Sequence, residues 1–300
     1  MKQYILKTLL FLAALGALLL SIVLMTNYYI DKKANFKLSG DVHSIILGHS
    51  HSEMAYNDSL IDGFKNLGHS AESYFYGYYK LKKVISQNPQ IKTVYLEFSN
   101  NQIEATMDEW TWGEEFVSFR YPIYSSFIDM EGQRLLATHN NKSYFGAMSK
   151  ATYNNLEWLA KKDFNFLKRM GGYEHTKRTA LDSLLATDFE NNPQYVYSKS
   201  KLSSENLKYA QKIIAYCKAN DLDVKLIRTP QYPRLPVLRN EKRFQQVKDS
   251  LFNDLEFLDF NDFELNVDEF SDLDHLNYKG ARRFSGYFNK FISNHNTNKR

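Results

Sequence analysis

Two short segments of the sequence contain the residue types that nucleophilic catalysis at a serine requires. Residues 48–52 have the sequence Gly-His-Ser-His-Ser, and further along the chain Asp272 lies three residues before His275. A serine attacks an ester when an imidazole takes its hydroxyl proton and a carboxylate fixes the tautomer of that imidazole. The Asp-x-x-His spacing allows one short loop to supply both base and carboxylate. The two segments together therefore indicate ester chemistry at a serine.

Each of these residues has a competitor close by. Ser50 follows the glycine that ends an apolar segment, whereas Ser52 is a second candidate nucleophile in the same turn. Asp274 adjoins His275 but would have to fold back on its neighbour, so Asp272 is the better partner. Ser50 also suits an ordinary turn, Asp272 suits a turn or a helix N-cap, and His275 suits a helix flank, so purely structural roles stay open.

The histidines of the first segment raise the alternative of a metal site. His49 and His51 are one residue apart, and His69 lies nearby in the sequence. A zinc site needs three or four converging nitrogen, oxygen or sulfur ligands, and the sequence has neither a His-Glu-x-x-His motif nor a cysteine pair. We therefore expect neither a metal nor another cofactor, with a metal-dependent hydrolase as an alternative.

Apolar segments with alternating strand-like and helix-like patterns must position these residues. The predicted strands cover residues 42–48, 64–67, 93–98, 224–229 and 256–260. The predicted helices cover residues 74–85, a segment capped by Ser203, residues 241–252 and a final segment through Ala281 and Ile292. Strands that alternate with helices predict an α/β fold with a parallel sheet and helices on both faces.

In an open parallel sheet, ligands bind beyond the carboxyl ends of the strands. Ser50 and Asn100 each follow a predicted strand, Arg228 lies at the end of another, and residues 272–275 precede the last helix. We therefore expect serine, histidine and aspartate to meet at one edge of the sheet. Arg228 suits either an anionic substrate or a solvated strand end, and the tyrosine-rich residues 74–79 suit either sugar stacking or helix packing.

Residues 102–199 interrupt the alternation of strands and helices. They hold all three tryptophans, and they contain a helix predicted from Thr152 to Met170 that ends at Gly171-Gly172. We interpret this segment as an insertion or cap after the third strand rather than as a second domain.

The N-terminal residues differ from the rest of the chain. The segment from Thr8 to Ile30 is uncharged, and its length suits the ~30 Å hydrocarbon layer of a bilayer. Signal cleavage near Ala14 or Ala17 would cut this segment in two, so we predict an uncleaved signal anchor over residues 1–33. Residues 34–300 then form the remaining domain. Lysines flank the span on both sides, so charge does not decide its orientation.

Charge and cysteine content limit the classes of partner. The 38 basic residues exceed the 34 acidic ones by only +4, and their scatter gives no case for nucleic acid. Cys217 is the single cysteine, which excludes an intramolecular disulfide and leaves the redox compartment undecided.

Two motifs carry a resemblance to a known family. Residues 48–50 after an apolar strand, with Asp272, His275 and Gly280 before the last helix, resemble the SGNH/GDSL hydrolase superfamily. The anchor and residues 66–73 (Asn-Leu-Gly-His-Ser-Ala-Glu-Ser) are similar to its membrane-tethered cell-envelope branch. That branch is related to alginate O-acetylation proteins and to the D-alanyl transfer protein of teichoic acid modification.

The resemblance covers about residues 42–101 and 200–292, and the insertion has no counterpart. It implies a flavodoxin-like three-layer sandwich with a parallel sheet, which is the SGNH hydrolase fold, behind one N-terminal transmembrane helix. Two positions depart from the family pattern. The glycine of the second block corresponds to Ala71, or to Gly68 in a shifted register, and residues 99–101 (Ser-Asn-Asn) replace the Gly-x-Asn-Asp block.

The resemblance also assigns roles. It implies Ser50 as the nucleophile, His275 as the general base and Asp272 as its partner. The backbone N–H of Ser50, an N–H near Ala71 and the side chain of Asn100 would form the oxyanion hole.

The function expected from this resemblance is that of a membrane-anchored serine esterase or O-acyltransferase. It would act through an acyl-enzyme on acyl esters, acetyl esters foremost, of a cell-envelope polysaccharide or glycan, in the periplasm or at the cell exterior. A membrane acyltransferase is a candidate partner. The alternative is a catalytically silent envelope protein that binds a glycan or an assembly partner on the same fold.

Overall fold

The computed structural model describes residues 1–178, 180–187, 201–235, 238 and 240–297. Within these residues the chain forms two compact units. The helical unit comprises Met1–Asn35 and Trp112–Phe166, and the sheet unit comprises Phe36–Thr111 and Leu167–Arg300. The candidate catalytic residues all belong to the sheet unit.

The sheet unit contains five parallel strands, which confirms the predicted α/β class. They are β1 (Ser44–Leu47), β2 (Phe64–Asn66), β3 (Thr93–Glu97), β4 (Asp223–Arg228) and β5 (Phe257–Asp259). They lie side by side in the order β2-β1-β3-β4-β5. Each strand lies within two residues of its predicted ends, because glycine, proline or polar residues follow the apolar runs.

The helices match the predicted alternation. In chain order they are α1 (Lys2–Lys33), α2 (Ser50–Ala55), α3 (Tyr74–Gln87), α4 (Met107–Trp112), α5 (Glu114–Tyr124), α6 (Met130–His139), α7 (Asn141–Lys161), α8 (Leu181–Leu185), α9 (Ser204–Ala219), α10 (Glu241–Leu251) and α11 (Tyr278–Thr297). Phe284 and Phe288 of α11 pack in a core with Ile46 of β1 and Ile227 of β4. Residues 45–47 are all buried, so both faces of β1 are covered.

Helix α1 has two parts that differ in exposure. Residues 1–21 are exposed, and at 1.5 Å per residue this stretch is about 31 Å long, which is the thickness of a hydrocarbon layer. Further along, Thr26 and Ile30 are buried in the helical unit, and Asn27 Oδ1 accepts a hydrogen bond from Asn155 Nδ2 at 2.7 Å. The helix is long and apolar enough to span a membrane or to serve as a signal anchor.

The predicted insertion is divided between the two units. Residues 112–166 lie in the helical unit, together with α1. Residues 102–111, 167–178 and 180–187 lie in the sheet unit, and residues 188–199 are outside the described residues. The predicted insertion therefore contributes residues to both units.

The helix predicted from Thr152 to Met170 is wrong in its bounds. Helix α7 ends at Lys161, because the next residue adopts a left-handed conformation with φ 52°. The Gly171-Gly172 pair brings two backbone segments together instead. The N–H of Gly172 donates to the carbonyl of Gly68 at 2.9 Å, and a Cβ on Gly171, at φ 104°, would overlap that carbonyl.

Replacing Gly171 should therefore destabilise the sheet unit. We expect Gly171→Ala to lower the free energy of unfolding by about 3 kcal/mol, since an alanine is strained at this φ and its Cβ meets backbone. Gly286→Ala is the control: this glycine lies inside α11 with open space around it, so alanine should stabilise by about 0.5–1 kcal/mol. Urea unfolding followed by circular dichroism measures both, and equal stability of the two variants would contradict the prediction.

Candidate active site

Ser50 begins the short helix α2, just after the turn that follows β1. A Cβ on Gly48 would overlap the Glu97 carboxylate, so this turn requires glycine. Within the described residues the N–H of Ser50 makes no hydrogen bond, as expected in the first turn of a helix. The side chain is partly exposed. Ser50 therefore presents both a hydroxyl and an N–H at the carboxyl edge of the sheet.

Ser50, His275 and Asp272 form one hydrogen-bonded line. Ser50 Oγ lies 2.7 Å from His275 Nε2, and His275 Nδ1 lies 2.8 Å from Asp272 Oδ1. An Nδ1–H that donates to Asp272 leaves Nε2 unprotonated, so this nitrogen can accept the serine proton. Burial opposes the charge of Asp272, but the hydrogen bond from His275 lowers the pKa of this carboxyl. The structure thus brings together the three residues singled out in the sequence.

The rest of the second motif holds the loop that carries Asp272 and His275. Asp272 Oδ1 also accepts the backbone N–H of His275 at 3.0 Å. Asn277 Nδ2 donates to the carbonyl of Phe270 at 3.0 Å, which ties the two ends of the loop together. A Cβ on Gly280 would overlap a backbone carbonyl of the preceding turn. Asn277 and Gly280 therefore position the loop rather than take part in chemistry.

The two competitors from the sequence occupy other positions. Ser52 is fully buried and its hydroxyl donates to Glu97, so it is closed to a substrate. Asp274 Oδ1 lies 3.8 Å from His51 Nε2, whereas His275 is bonded to Asp272. Geometry therefore favours Ser50 over Ser52 and Asp272 over Asp274.

Glu97, the last residue of β3, is a central residue that the sequence analysis missed. Its carboxylate is fully buried and accepts the backbone N–H of His49 at 3.1 Å and that of Ser52 at 2.9 Å. It also lies 3.0 Å from His49 Nε2 and 3.4 Å from His51 Nδ1. An acidic residue at the end of an apolar strand is unusual, and this signal could have identified it.

The charges of this cluster follow from its burial and its neighbours. Burial would lower the pKa of His51, but Asp274 and Glu97 raise it to about 9. Burial would raise the pKa of Glu97, but His49 and His51 lower it to about 2. Burial lowers the pKa of His49 to about 4. At neutral pH, His51 and Glu97 are therefore a buried ion pair, and His49 is neutral.

His49, His51 and Glu97 are also the group that could hold a metal ion among the residues described. One ligand atom from each lies within 4.8 Å of the others. Metal ligands must be deprotonated, and the raised pKa of His51 favours the imidazolium, which cannot coordinate a cation. His69 is not part of this group and instead faces Glu72, with Nδ1 3.5 Å from Oε2. The expectation of a metal-free site stays a prediction.

Asn100, the predicted oxyanion asparagine, is not free to donate to a substrate. Both ends of the Asn100 amide are engaged in a buried network: Nδ2 donates to Glu241 Oε2 at 2.8 Å, and Oδ1 accepts from Arg228 at 2.8 Å. Asn101 instead lies beside His49, with its Oδ1 3.3 Å from Nε2. In the described part of the chain Asn101 Nδ2 makes no hydrogen bond, so this amide can donate to a substrate.

Ala71 has a backbone conformation that favours glycine. Its φ is 54°, in a turn closed by the hydrogen bond from Glu72 N–H to the carbonyl of His69 at 3.0 Å. Gly68 is required for a different reason, because a Cβ there would overlap the N–H of Glu53 in α2. Ala71 and Gly68 were the two residues that could correspond to the second-block glycine. In the turn next to α2, the backbone favours glycine at position 71 and requires it at position 68.

Two other candidate binding features serve packing. Arg228 is buried and paired with Asp259 at 2.5 Å and Glu241 at 2.7 Å, so it is neither a solvated strand end nor open to an anionic substrate. In the tyrosine-rich residues 74–79, every aromatic except Tyr78 is buried, which indicates helix packing.

The buried ion pair predicts how stability depends on pH. Because His51 has a raised pKa in the folded state, its contribution is complete below about pH 6.5 and is lost as the pH rises towards 9. We expect the free energy of unfolding to fall over this interval and to fall less steeply in His51→Gln. Urea unfolding at a series of pH values measures this, with the surface change Ser59→Ala as control. The same slope in His51→Gln and wild type would contradict a charged His51.

Comparisons with known proteins give one family match. A family model that carries no description of function matches residues 80–297, which include Asp272 and His275 but begin after Ser50. No curated protein matches the chain. Among solved structures, it is similar to one from Streptococcus pneumonia whose name refers to platelet activating factor. That likeness has 12% identity and a TM-score of 0.40, and it covers 94% of this chain and 98% of that chain. Because the family match covers more than half of its residues, the chain belongs to that family.

Proposed function

We propose that this protein is a membrane-anchored serine esterase or O-acyltransferase with an SGNH-type, flavodoxin-like three-layer fold. The observation that carries the proposal is the hydrogen-bonded line from Ser50 through His275 to Asp272. The strand order β2-β1-β3-β4-β5 supports the fold assignment, because it is the order of flavodoxin-like sheets. A catalytically silent protein would not need an aligned proton acceptor behind a partly exposed serine.

The geometry supports a two-step acyl transfer. Ser50 Oγ attacks the acyl carbonyl while its proton moves to His275 Nε2, and Asp272 stabilises the imidazolium that forms. His275 then gives this proton to the departing alcohol oxygen, which leaves the acyl group on Ser50. In the second step, water or another hydroxyl loses its proton to His275 and attacks the acyl carbonyl. His275 then returns this proton to Ser50 Oγ as the bond between Oγ and the acyl group breaks, which regenerates the serine. Water as the acceptor makes the protein an esterase, and a sugar hydroxyl makes it a transferase.

The proposed oxyanion hole consists of three donors. They are the N–H of Ser50 at the start of α2, the Nδ2 of Asn101, and the N–H of Ala71 in the adjoining turn. These groups are fixed before the substrate arrives: the first two by β1 and β3, and the third by its closed turn. Preorganised donors of this kind stabilise a tetrahedral intermediate more than they stabilise the ester.

The proposed substrates are acyl esters, foremost acetyl esters, on glycans of the cell envelope. The sequence resemblance to envelope-modifying proteins and the apolar α1 support this choice. Anchored by α1, the sheet unit would act in the periplasm or at the cell exterior. A membrane-bound acyltransferase is the proposed donor partner for the transferase reaction.

A serine-directed probe tests the nucleophile. We expect a fluorophosphonate to label the full-length wild type in detergent and not to label Ser50→Ala, because Ser50 is partly exposed beside a base whereas Ser52 is buried. Fragmentation of the labelled peptide by mass spectrometry should place the adduct on residue 50, not on Ser52. Equal labelling of wild type and Ser50→Ala would exclude Ser50 as the nucleophile.

A pair of neighbouring variants tests the oxyanion hole. We expect Asn101→Ala to lower kcat for p-nitrophenyl acetate about 10²-fold with little change in KM, since the donor acts on the transition state. Asn100→Ala should instead lower the urea midpoint, because it leaves Arg228 and Glu241 without their shared amide. If Asn101→Ala keeps full kcat, Asn101 is not a donor of the oxyanion hole.

A further inference from the structure

A second cavity lies at the same edge of the sheet as the candidate active site. It has a volume of about 480 Å³ and lies beyond the carboxyl end of β5. Its lining includes Gln231, Asn261, Asp262, Phe263, Glu264 and Phe270. The segments that form it follow β4 and β5, so they emerge on the side of the sheet where Ser50 follows β1.

Two residues connect this cavity to the candidate active site. Gln231 Nε2 lies 3.1 Å from His51 Nδ1, and the ring of His51 lies 5.4 Å from that of His275. On the other side, Phe270 pairs with Leu276 across the base of the loop that carries His275. The side chain of His51 therefore lies between one wall of the cavity and His275, which contacts Ser50.

The lining holds a polar atom that is buried without a partner. Within the described residues, Oδ1 of Asn261 makes no hydrogen bond, whereas the Gln231 amide faces the ring of His51. The amide of Asn261 is oriented by its Nδ2, which donates to Asp262 Oδ1 at 3.2 Å and leaves the carbonyl oxygen as an acceptor. A ligand hydroxyl can donate to this oxygen.

Charge and aromatic surface narrow the class of ligand. Asp262 and Glu264 bring negative charge to the rim, and the Arg283 guanidinium is paired with Glu269 at 2.7 Å. The net negative charge at the rim disfavours the binding of an anionic group such as a uronate or a phosphate. The partly exposed ring of Phe263 offers apolar surface of the kind that packs against the C–H face of a sugar ring.

We propose that this cavity is a subsite for a neutral sugar or an amino sugar of the glycan whose ester reacts at Ser50. The subsite would hold the polymer while the acyl group lies over the serine. This assignment rests on the proposed function for its role in turnover, but the binding of the saccharide is a property of the cavity alone.

Binding is measured without turnover in full-length Ser50→Ala in detergent. The probes are chitotriose and xylotriose, with trimannuronate as the anionic comparison, and the method is saturation-transfer NMR with titration calorimetry. We expect a neutral or amino trisaccharide to bind and Asn261→Ala to weaken it at least tenfold. Asn253→Ala, an exposed asparagine in a turn before β5, is the matched control and should bind as the parent does. Glu264→Lys should raise the affinity for trimannuronate.

Two hydrolysis assays separate this proposal from the proposed function. We expect Asn261→Ala to raise KM for O-acetylated chitotriose or xylotriose about tenfold and to leave kcat/KM for p-nitrophenyl acetate unchanged, because the small ester does not extend to the subsite. If the wild type hydrolyses none of these esters but still binds the saccharide, the proposed enzymatic function is rejected and the subsite is retained. No binding of any probe, equal binding by Asn261→Ala, or preference for trimannuronate would overturn the subsite.

Discussion

The buried carboxylate of Glu97 is the interaction on which the candidate site depends. It binds two backbone N–H groups of the turn that presents Ser50, and it compensates the charge of His51. Gly48 must lack a side chain because this carboxylate occupies the space. Removing one partner of such a buried pair typically costs about 3–5 kcal/mol, since the other charge is left unpaired. The position of Ser50 and the stability of the strand ends therefore depend on the same group.

Three carboxylates contact two histidines of the site, and each carboxylate has a separate role. Asp272 orients His275, whereas Glu97 and Asp274 hold the charge of His51 one layer behind. His51 lies between the hydrogen-bonded line of Ser50, His275 and Asp272 and the cavity at Gln231. A change in the charge of His51 would therefore alter the electrostatic potential at both places. The site is thus a continuous polar layer along the carboxyl edge of the sheet.

Much of this arrangement was accessible from the sequence because it depends on local patterns. The five strands are short apolar runs, and the rule that ligands bind beyond strand ends selected Ser50 and the Asp272–His275 loop. The wrong predictions concern features that the sequence pattern does not encode. Asn100 and Asn101 are equivalent in the sequence, and only packing against Arg228 decides which amide is engaged. The end of α7 carries no glycine, so its left-handed residue could not be foreseen.

Ser50 and His275 are 225 positions apart in the sequence, which has a consequence for folding. Ser50 is synthesised long before the loop that carries His275. Parallel strands with distant partners also pair slowly. Until β1 and the loop that carries His275 have folded together, the Ser50 hydroxyl has no proton acceptor. The chemistry proposed for this site therefore depends on completion of the tertiary fold and not on any local segment of the chain.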